Sequence, residues 1–264
     1  MKIIIAGAGT VGQAVWNALA MHPNTDLDIY FDDPFKGYNY DVGLYGNNVE
    51  TGVTPPDGVI VCVSTPRAED GSCDTSNVSE VFKKYGTKVK YLVKSAVDPV
   101  WISGQNEEHK ITYSPEFLRG SHVHADATSE FLNQTFAIYG GSDCRWWDEL
   151  FRPVLLDLKD VRYTTLEQAS FSKYVENTFL ATKVTFFNEM YRIYETLGFE
   201  GFDAMVDAIT LDPRIGKSHT QVPGPDGKFG YGGHCLPKDM SALRHLAETP
   251  LLDAVANINE VYRP

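Results

Sequence analysis

The sequence predicts an α/β fold, a doubly wound parallel sheet followed by an all-helical region, and three observations carry that expectation. The first is alternation. From residue 1 to about 155, short apolar runs of strand character alternate with amphipathic helical runs, the pattern of a parallel sheet with helices on both faces. The second is a glycine pattern, Gly7-Ala8-Gly9-Thr10-Val11-Gly12, set between a strand-like run and a helical one. The third is a change of period near Leu166, after which the apolar residues recur at helical spacing. These divide the chain into an α/β region, 1–160, and a helical region, 161–264.

The elements follow in order. Lys2 to Ala6 reads as a buried strand, with three isoleucines in a row. The glycines come next, and Gln13 to about Ala20 reads as a helix. In this Rossmann-like context Gly7 makes the tight turn, Gly9 admits a pyrophosphate, and Gly12 lets helix and strand approach, with Val11 in the same turn. The amides that open the helix favour phosphate. Leu27 to Phe31 is a second strand, and Asp32 lies twenty residues beyond Gly12. A carboxylate there hydrogen-bonds the adenosine ribose and repels a 2′-phosphate, so the expected cofactor is NAD; Asp33 competes for the role. Strands are expected over Gly58–Val63, Lys90–Lys94, Ile111–Thr112 and Phe136–Tyr139, with helices over Val78–Tyr85 and about Cys144–Leu150. Thr65, in Ser64-Thr65-Pro66 past the third strand, is either a cofactor contact or a strand-end cap. Glu116 follows the fifth strand on the same side.

In the helical region Glu167 to Leu197 reads as one long helix that Gly198 ends, with further helices at about 202–210, 240–248 and from 251. Lys173 and Asn177, four apart, share a face of the long helix. They form either a solvated stripe or a cation and an amide aimed into a cleft. The run Phe229-Gly230-Tyr231-Gly232-Gly233-His234-Cys235-Leu236-Pro237-Lys238-Asp239 places a cysteine in a glycine-rich loop just before Lys-Asp. Glycines allow close backbone approach to a ligand, a lysine favours thiolate, and an aspartate handles protons or water. The competing reading is a turn holding a small inert cysteine.

Composition narrows the partners. Hydrophobic residues make up 43% and charged residues 22% of 264 residues, an ordinary globular balance. The net charge of −12 argues against a nucleic-acid partner but permits a local basic pocket for an anionic substrate. Cys62, Cys73, Cys144 and Cys235 show no metal-ligand spacing and no disulfide framework, so no metal is expected and free thiols fit a reducing cytoplasm. The start of the sequence has none of the regions of a signal peptide, and no run reaches the length of a membrane span. A cytoplasmic protein without a membrane partner is expected.

Together these residues resemble the UDP-glucose/GDP-mannose dehydrogenase family. The resemblance rests on the glycine motif, on Ser64-Thr65-Pro66 with Asp70-Gly71, and on Lys94-Ser95-Ala96-Val97. It continues through Ser114-Pro115-Glu116-Phe117-Leu118-Arg119, Lys173 with Asn177, Asp212-Pro213-Arg214-Ile215-Gly216, and Gly230 to Asp239. It implies a double oxidation of a primary alcohol to a carboxylate with two NAD. Cys235 would attack the C6 aldehyde to give a thiohemiacetal and then a thioester. Lys173 and Asn177 would stabilise the C6 oxygen, Asp239 would assist proton transfer and water activation, and Glu116 would position the water. Phe117, Leu118, Arg119, Arg214 and Gly232, with the loop from Gly224 to Lys228, would meet the nucleotide sugar, and Lys238 would lie near the cofactor.

The family also implies a homodimer through residues about 166 to 200, and a third domain. The sequence ends where the helix leading to that domain would begin, which implies either a minimal form or a cleft that a separate chain closes. Ala96 stands where the family has threonine, Gly120 where it has glutamate, and the loop from His219 to Lys228 is longer than in the common forms. Two other readings compete: a catalytically impaired binding remnant or half-enzyme, and a two-electron 3-hydroxyacid dehydrogenase, which would have no use for Cys235.

Overall fold

The computed structural model describes residues 1–38, 55–118 and 124–263. Two compact units are present: Met1–Pro66 with Asp74–Lys173, and Arg67–Cys73 with Tyr174–Pro264.

The first unit is a seven-stranded sheet. Its strands are β1 (Lys2–Ala6), β2 (Asp28–Asp32), β3 (Gly58–Val61), β4 (Lys90–Val93), β5 (Lys110–Tyr113), β6 (Phe136–Gly141) and β7 (Asp160–Thr164), in spatial order β2-β1-β3-β4-β5-β6-β7. Every pair is parallel except β5–β6, where Thr112 faces Gly141 and Tyr113 faces Gly140. The expected parallel sheet is present, with one antiparallel junction.

Alternation along β1 explains the two layers. Ile3 and Ile5 enter one core with α1 (Thr10–Leu19), α4 (His124–Leu132) and α5 (Cys144–Phe151), centred on Trp147 and Phe151. Ile4 and Ala6 enter the other with α2 (Ser76–Tyr85), α3 (Pro99–Gln105) and the start of α6 (Leu166–Thr196), centred on Phe82, Tyr91 and Tyr113. Burial on both faces is why the central strands read as unbroken apolar runs.

Three elements of this unit escape the sequence reading. β7 is an edge strand whose Asp160, Arg162 and Tyr163 are exposed, so it shows no apolar run. α3 is announced by capping: the Asp98 carboxylate accepts from the amides of Val100 (2.7 Å) and Trp101 (3.1 Å), with Pro99 at the first position. α4 is short and follows residues outside the description.

The second unit contains the rest of α6, α7 (Phe202–Ile209), α8 (Cys235–Leu246) and α9 (Pro250–Tyr262). Ala181, Tyr231, Met240, Val255 and Ala256 form one buried cluster, and Phe187, Phe202, Val206 and Val222 another. Gly198, with φ +73°, terminates the α6 run as expected. The segment Arg67–Cys73 closes on itself through an Arg67–Cys73 bridge, and Ser241 of α8 donates to Gly71 O at 2.8 Å. The expected start of α8 is corrected. Cys235 is its first residue rather than a loop residue, because Pro237 falls in the first turn, where its missing amide costs no hydrogen bond. Among the described residues no helix is long and apolar enough to cross a membrane.

Candidate active site

The glycine turn has the geometry its pattern requires. Gly7 has φ +98°, and a Cβ there would lie 2.6 Å from Cys62 O; a Cβ on Gly12 would run into Gly7 O. A Cβ on Gly9 would face open space, which leaves room for a ligand to approach that backbone. The α1 N-terminus carries no side-chain cap, so its amides are available to an anion. Val11 packs against the core beside β1. These residues fit the pyrophosphate of a dinucleotide.

The two aspartates at the end of β2 differ in their partners. Asp32 is buried, and its carboxylate accepts from Lys84 Nζ through both oxygens (2.8 Å each) and from Tyr85 OH at 2.7 Å. Asp33 instead reaches the glycine turn, where its Oδ2 accepts from the Ala8 amide at 2.8 Å. Lys36 Nζ donates to Ala8 O at 2.6 Å. Sequence spacing could not separate Asp32 from Asp33, nor reveal Lys84 and Tyr85, which lie more than fifty residues away on α2. Thr65 is buried and donates to Ala96 O at 2.7 Å, so its hydroxyl ties two strand ends together.

Glu116 and Lys94 lie just past the carboxyl ends of the neighbouring parallel strands β5 and β4. Both are buried, and Lys94 Nζ donates to Glu116 Oε2 at 3.2 Å. The Phe117 amide donates to Glu116 Oε1 at 3.0 Å. Phe117 and Lys173 meet, the ammonium lying 5.1 Å from the ring centroid. Leu118 packs against the core around Trp147 and Phe151. Arg119 and Gly120 lie outside the described residues.

In the second unit the first turn of α8 and the facing side of α6 make a closed polar network. Asp239 is fully buried. Its Oδ2 accepts from Asn177 Nδ2 at 2.5 Å, and its Oδ1 accepts from Lys238 Nζ. A carboxylate only accepts hydrogen bonds, so Asn177 must turn its nitrogen toward Asp239. Asn177 is itself buried and is therefore no solvated stripe.

Cys235 opens that helix and is exposed, while Cys62, Cys73 and Cys144 are partly covered. Burial pushes the Cys62 thiol up to about 12, with the Lys94 charge opposing and the Glu116 charge adding. Burial also raises Cys144. Solvent access thus singles out Cys235. The unpaired amides of a helix start can also hydrogen-bond an anion formed there.

The glycine loop before Cys235 is held by residues to which the sequence reading assigned no role. Asn188 Oδ1 accepts from the Gly230 amide at 2.9 Å. Asn259 pairs twice with Tyr231, accepting from its amide at 2.7 Å and donating to its carbonyl at 3.1 Å. Arg263 donates to Gly230 O at 3.3 Å and to Asp226 at 2.7 Å, and its guanidinium lies where a Cβ of Gly232 would fall. Arg214 is exposed and pairs with Asp212 at 2.6 Å. Lys183 donates to Ile215 O and Gly216 O at 2.8 and 2.9 Å, and burial pushes its ammonium down. Among the described residues no group of His, Cys, Asp and Glu is arranged to hold a metal ion.

Comparison with known proteins identifies the family. Residues 167–261 match the model for the UDP-glucose/GDP-mannose dehydrogenase family, central domain. "Putative UDP-glucose 6-dehydrogenase YtcA" of Bacillus subtilis strain 168 is 31% identical, covering 98% of this chain and 68% of its own length. UDP-glucose 6-dehydrogenase YwqF of the same strain is 28% identical, over 98% of this chain and 66% of its own. The chain therefore spans about two thirds of the length of these relatives. A UDP-glucose dehydrogenase structure from Pyrobaculum islandicum superposes with a TM-score of 0.75 at 26% identity, covering 98% of this chain and 68% of that one. A Mycobacterium tuberculosis 3-hydroxyisobutyrate dehydrogenase shares the fold, with a TM-score of 0.66 at 17% identity. On the whole-length identity to these relatives and the match of its helical region, this chain belongs to the UDP-glucose/GDP-mannose dehydrogenase family, whose members are oxidoreductases.

Proposed function

We propose that the chain oxidises the primary alcohol of UDP-glucose to the carboxylate of UDP-glucuronate with NAD. The observation that carries the reading is the exposed Cys235 at the start of α8, one turn before a buried Lys238–Asp239–Asn177 network. A 3-hydroxyacid dehydrogenase, which shares the fold, would have no use for that thiol.

When bound, NAD supplies the hydride acceptor for each of the two oxidations. Gly7, Gly9 and Gly12 with the α1 amides would hold its pyrophosphate, and Asp33 or Asp32 its ribose. The Cys235 thiolate adds to the C6 aldehyde, so that the second oxidation leaves an acyl group on sulfur. Lys173 supplies positive charge and Asn177 its second amide N–H to the C6 oxygen as negative charge develops there. Asp239 holds Asn177 in the required orientation and, with one lone pair on each oxygen still open, relays a proton. Glu116 positions the water that releases the acid. Phe117, Arg119, Arg214 and the Gly224–Gly232 loop are proposed to meet the nucleotide sugar. The exposed Phe179, Phe186 and Ile193 of α6 support association with a second copy of the chain.

Replacing the thiol tests the chemistry. Cys235→Ala is expected to abolish acid formation, a loss of at least about a thousandfold, while NAD binding persists. Mass spectrometry of the product gives the answer, and wild-type acid yield from that variant would refute the role.

A further inference from the structure

Glycine loses more freedom on ordering than any other residue, and three of the six residues before Cys235 are glycine: Gly230, Gly232 and Gly233. A loop of that composition needs outside support, and its backbone receives it at Gly230 and Tyr231. The Gly230 amide donates to Asn188 Oδ1 at 2.9 Å, and its carbonyl accepts from Arg263 Nε at 3.3 Å. The Tyr231 amide donates to Asn259 Oδ1 at 2.7 Å, and its carbonyl accepts from Asn259 Nδ2 at 3.1 Å. Two consecutive residues thus have all four backbone polar groups bonded to three side chains, one on α6 and two at the end of α9. Asn188 is buried, and its Nδ2 donates to Val184 O at 2.8 Å, which turns its oxygen to the loop. The Tyr231 side chain is buried with Ala181, Met240, Val255 and Ala256. The glycines make room for this grip. Gly230 has φ +70°, and a Cβ there would fall 2.5 Å from Asn259 Oδ1; a Cβ on Gly232 would meet the Arg263 guanidinium.

We propose that Asn259, assisted by Arg263, is a positioning residue for Cys235. It touches no reacting atom. It acts through the Tyr231 peptide, tied four residues before the thiol, and so sets where the sulfur stands at the start of α8. This rests on the function proposed above, in which the thiol must meet one carbon of the substrate. A displacement of about 1 Å there can lower the rate about 100-fold. Asparagine suits the task because its short planar amide accepts from the Tyr231 N–H and donates to the Tyr231 carbonyl at once.

Hydrogen exchange on the intact protein tests the grip without reference to activity. In Asn259→Ala the Gly230 and Tyr231 amides should exchange at least about tenfold faster than in wild type, while the strands of the first unit are unchanged. Turnover of UDP-glucose should fall about 100-fold in kcat, with KM changed by less than about tenfold. Alkylation of Cys235 by iodoacetamide, a small reagent that needs no fixed geometry, should stay within about threefold of wild type. A general loss of structure would not separate these readouts. Asn259→Asp keeps the size and the acceptor but loses the donor, and should behave as Asn259→Ala does. Arg263→Lys, which keeps a donor for Gly230 O, should recover most of the rate that Arg263→Met loses. Should Asn259→Ala not fold, Arg263→Met carries the same measurements. Unchanged exchange in the loop would overturn the proposal, as would faster exchange with wild-type kcat, or alkylation lost in step with turnover. Wild-type protein that forms no acid would instead refute the underlying function, and the exchange result would still report on the grip.

Discussion

At the scale of single residues, the two carboxylates at the end of β2 show how adjacent acids can take different partners. Asp32 is consumed by Lys84 and Tyr85, whereas Asp33 reaches the Ala8 amide. Asp33→Asn is therefore expected to raise the Kd for NAD about tenfold, the scale of a hydrogen bond to a charged group. Titration calorimetry measures it, and a Kd within twofold of wild type would assign the ribose elsewhere. Asp32→Asn should act first on stability, lowering Tm, since it strips Lys84 of its carboxylate partner. The glycine pattern announced the turn because a Cβ at Gly7 or Gly12 would collide with backbone oxygen. The choice between neighbouring acids was not legible, because it depends on side chains of a distant helix. The same holds for Asn188, Asn259 and Arg263, which grip the loop before Cys235 from α6 and the end of α9.

At the scale of elements, α6 carries an uncovered row of apolar side chains. Phe179, Phe186 and Ile193 are 61%, 53% and 47% exposed at spacings of seven. If a second copy covers them, Phe179→Glu with Phe186→Glu should shift the sedimentation coefficient to that of a monomer at micromolar concentration. A monomeric wild type under the same conditions would contradict the association. The glycine loop should also loosen in acid. Its Asp226 carboxyl is held below the usual range, first by the Arg263 hydrogen bond and then by the Lys228 amide. A carboxyl depressed in the folded state adds stability above its unfolded value, about pH 4, and loses it as pH falls through the folded value. The pair is partly exposed, so the effect should be small and sensitive to salt. Asp226→Asn should flatten the fall of Tm between about pH 5 and 3, and an unchanged slope would show that the pair adds nothing. Elements buried on both faces were legible in the sequence as apolar runs. β7 was not, because its side chains face water, and the true start of α8 was hidden by a proline tolerated in its first turn.

At the scale of the whole molecule, the sequence carried the class of both units and the order of the motifs. It missed the reversal at β6, because strand direction depends on where the intervening chain lies and not on the strand's own residues. It also left open which polar residues are withdrawn from water, although the proposed chemistry turns on that. Lys94, Glu116, Asn177, Lys238 and Asp239 are all buried, while Cys235 is exposed. That contrast suits a thiol that must be reached by a substrate and polar groups that must hold their geometry. The central claim is that the chain performs two successive oxidations through this thiol. The most direct measurement is the number of NADH formed per UDP-glucose consumed by the purified protein, with the product identified by mass. The account predicts two NADH per sugar and a carboxylate product. One NADH per sugar with an aldehyde product, or NAD binding without turnover, would contradict it.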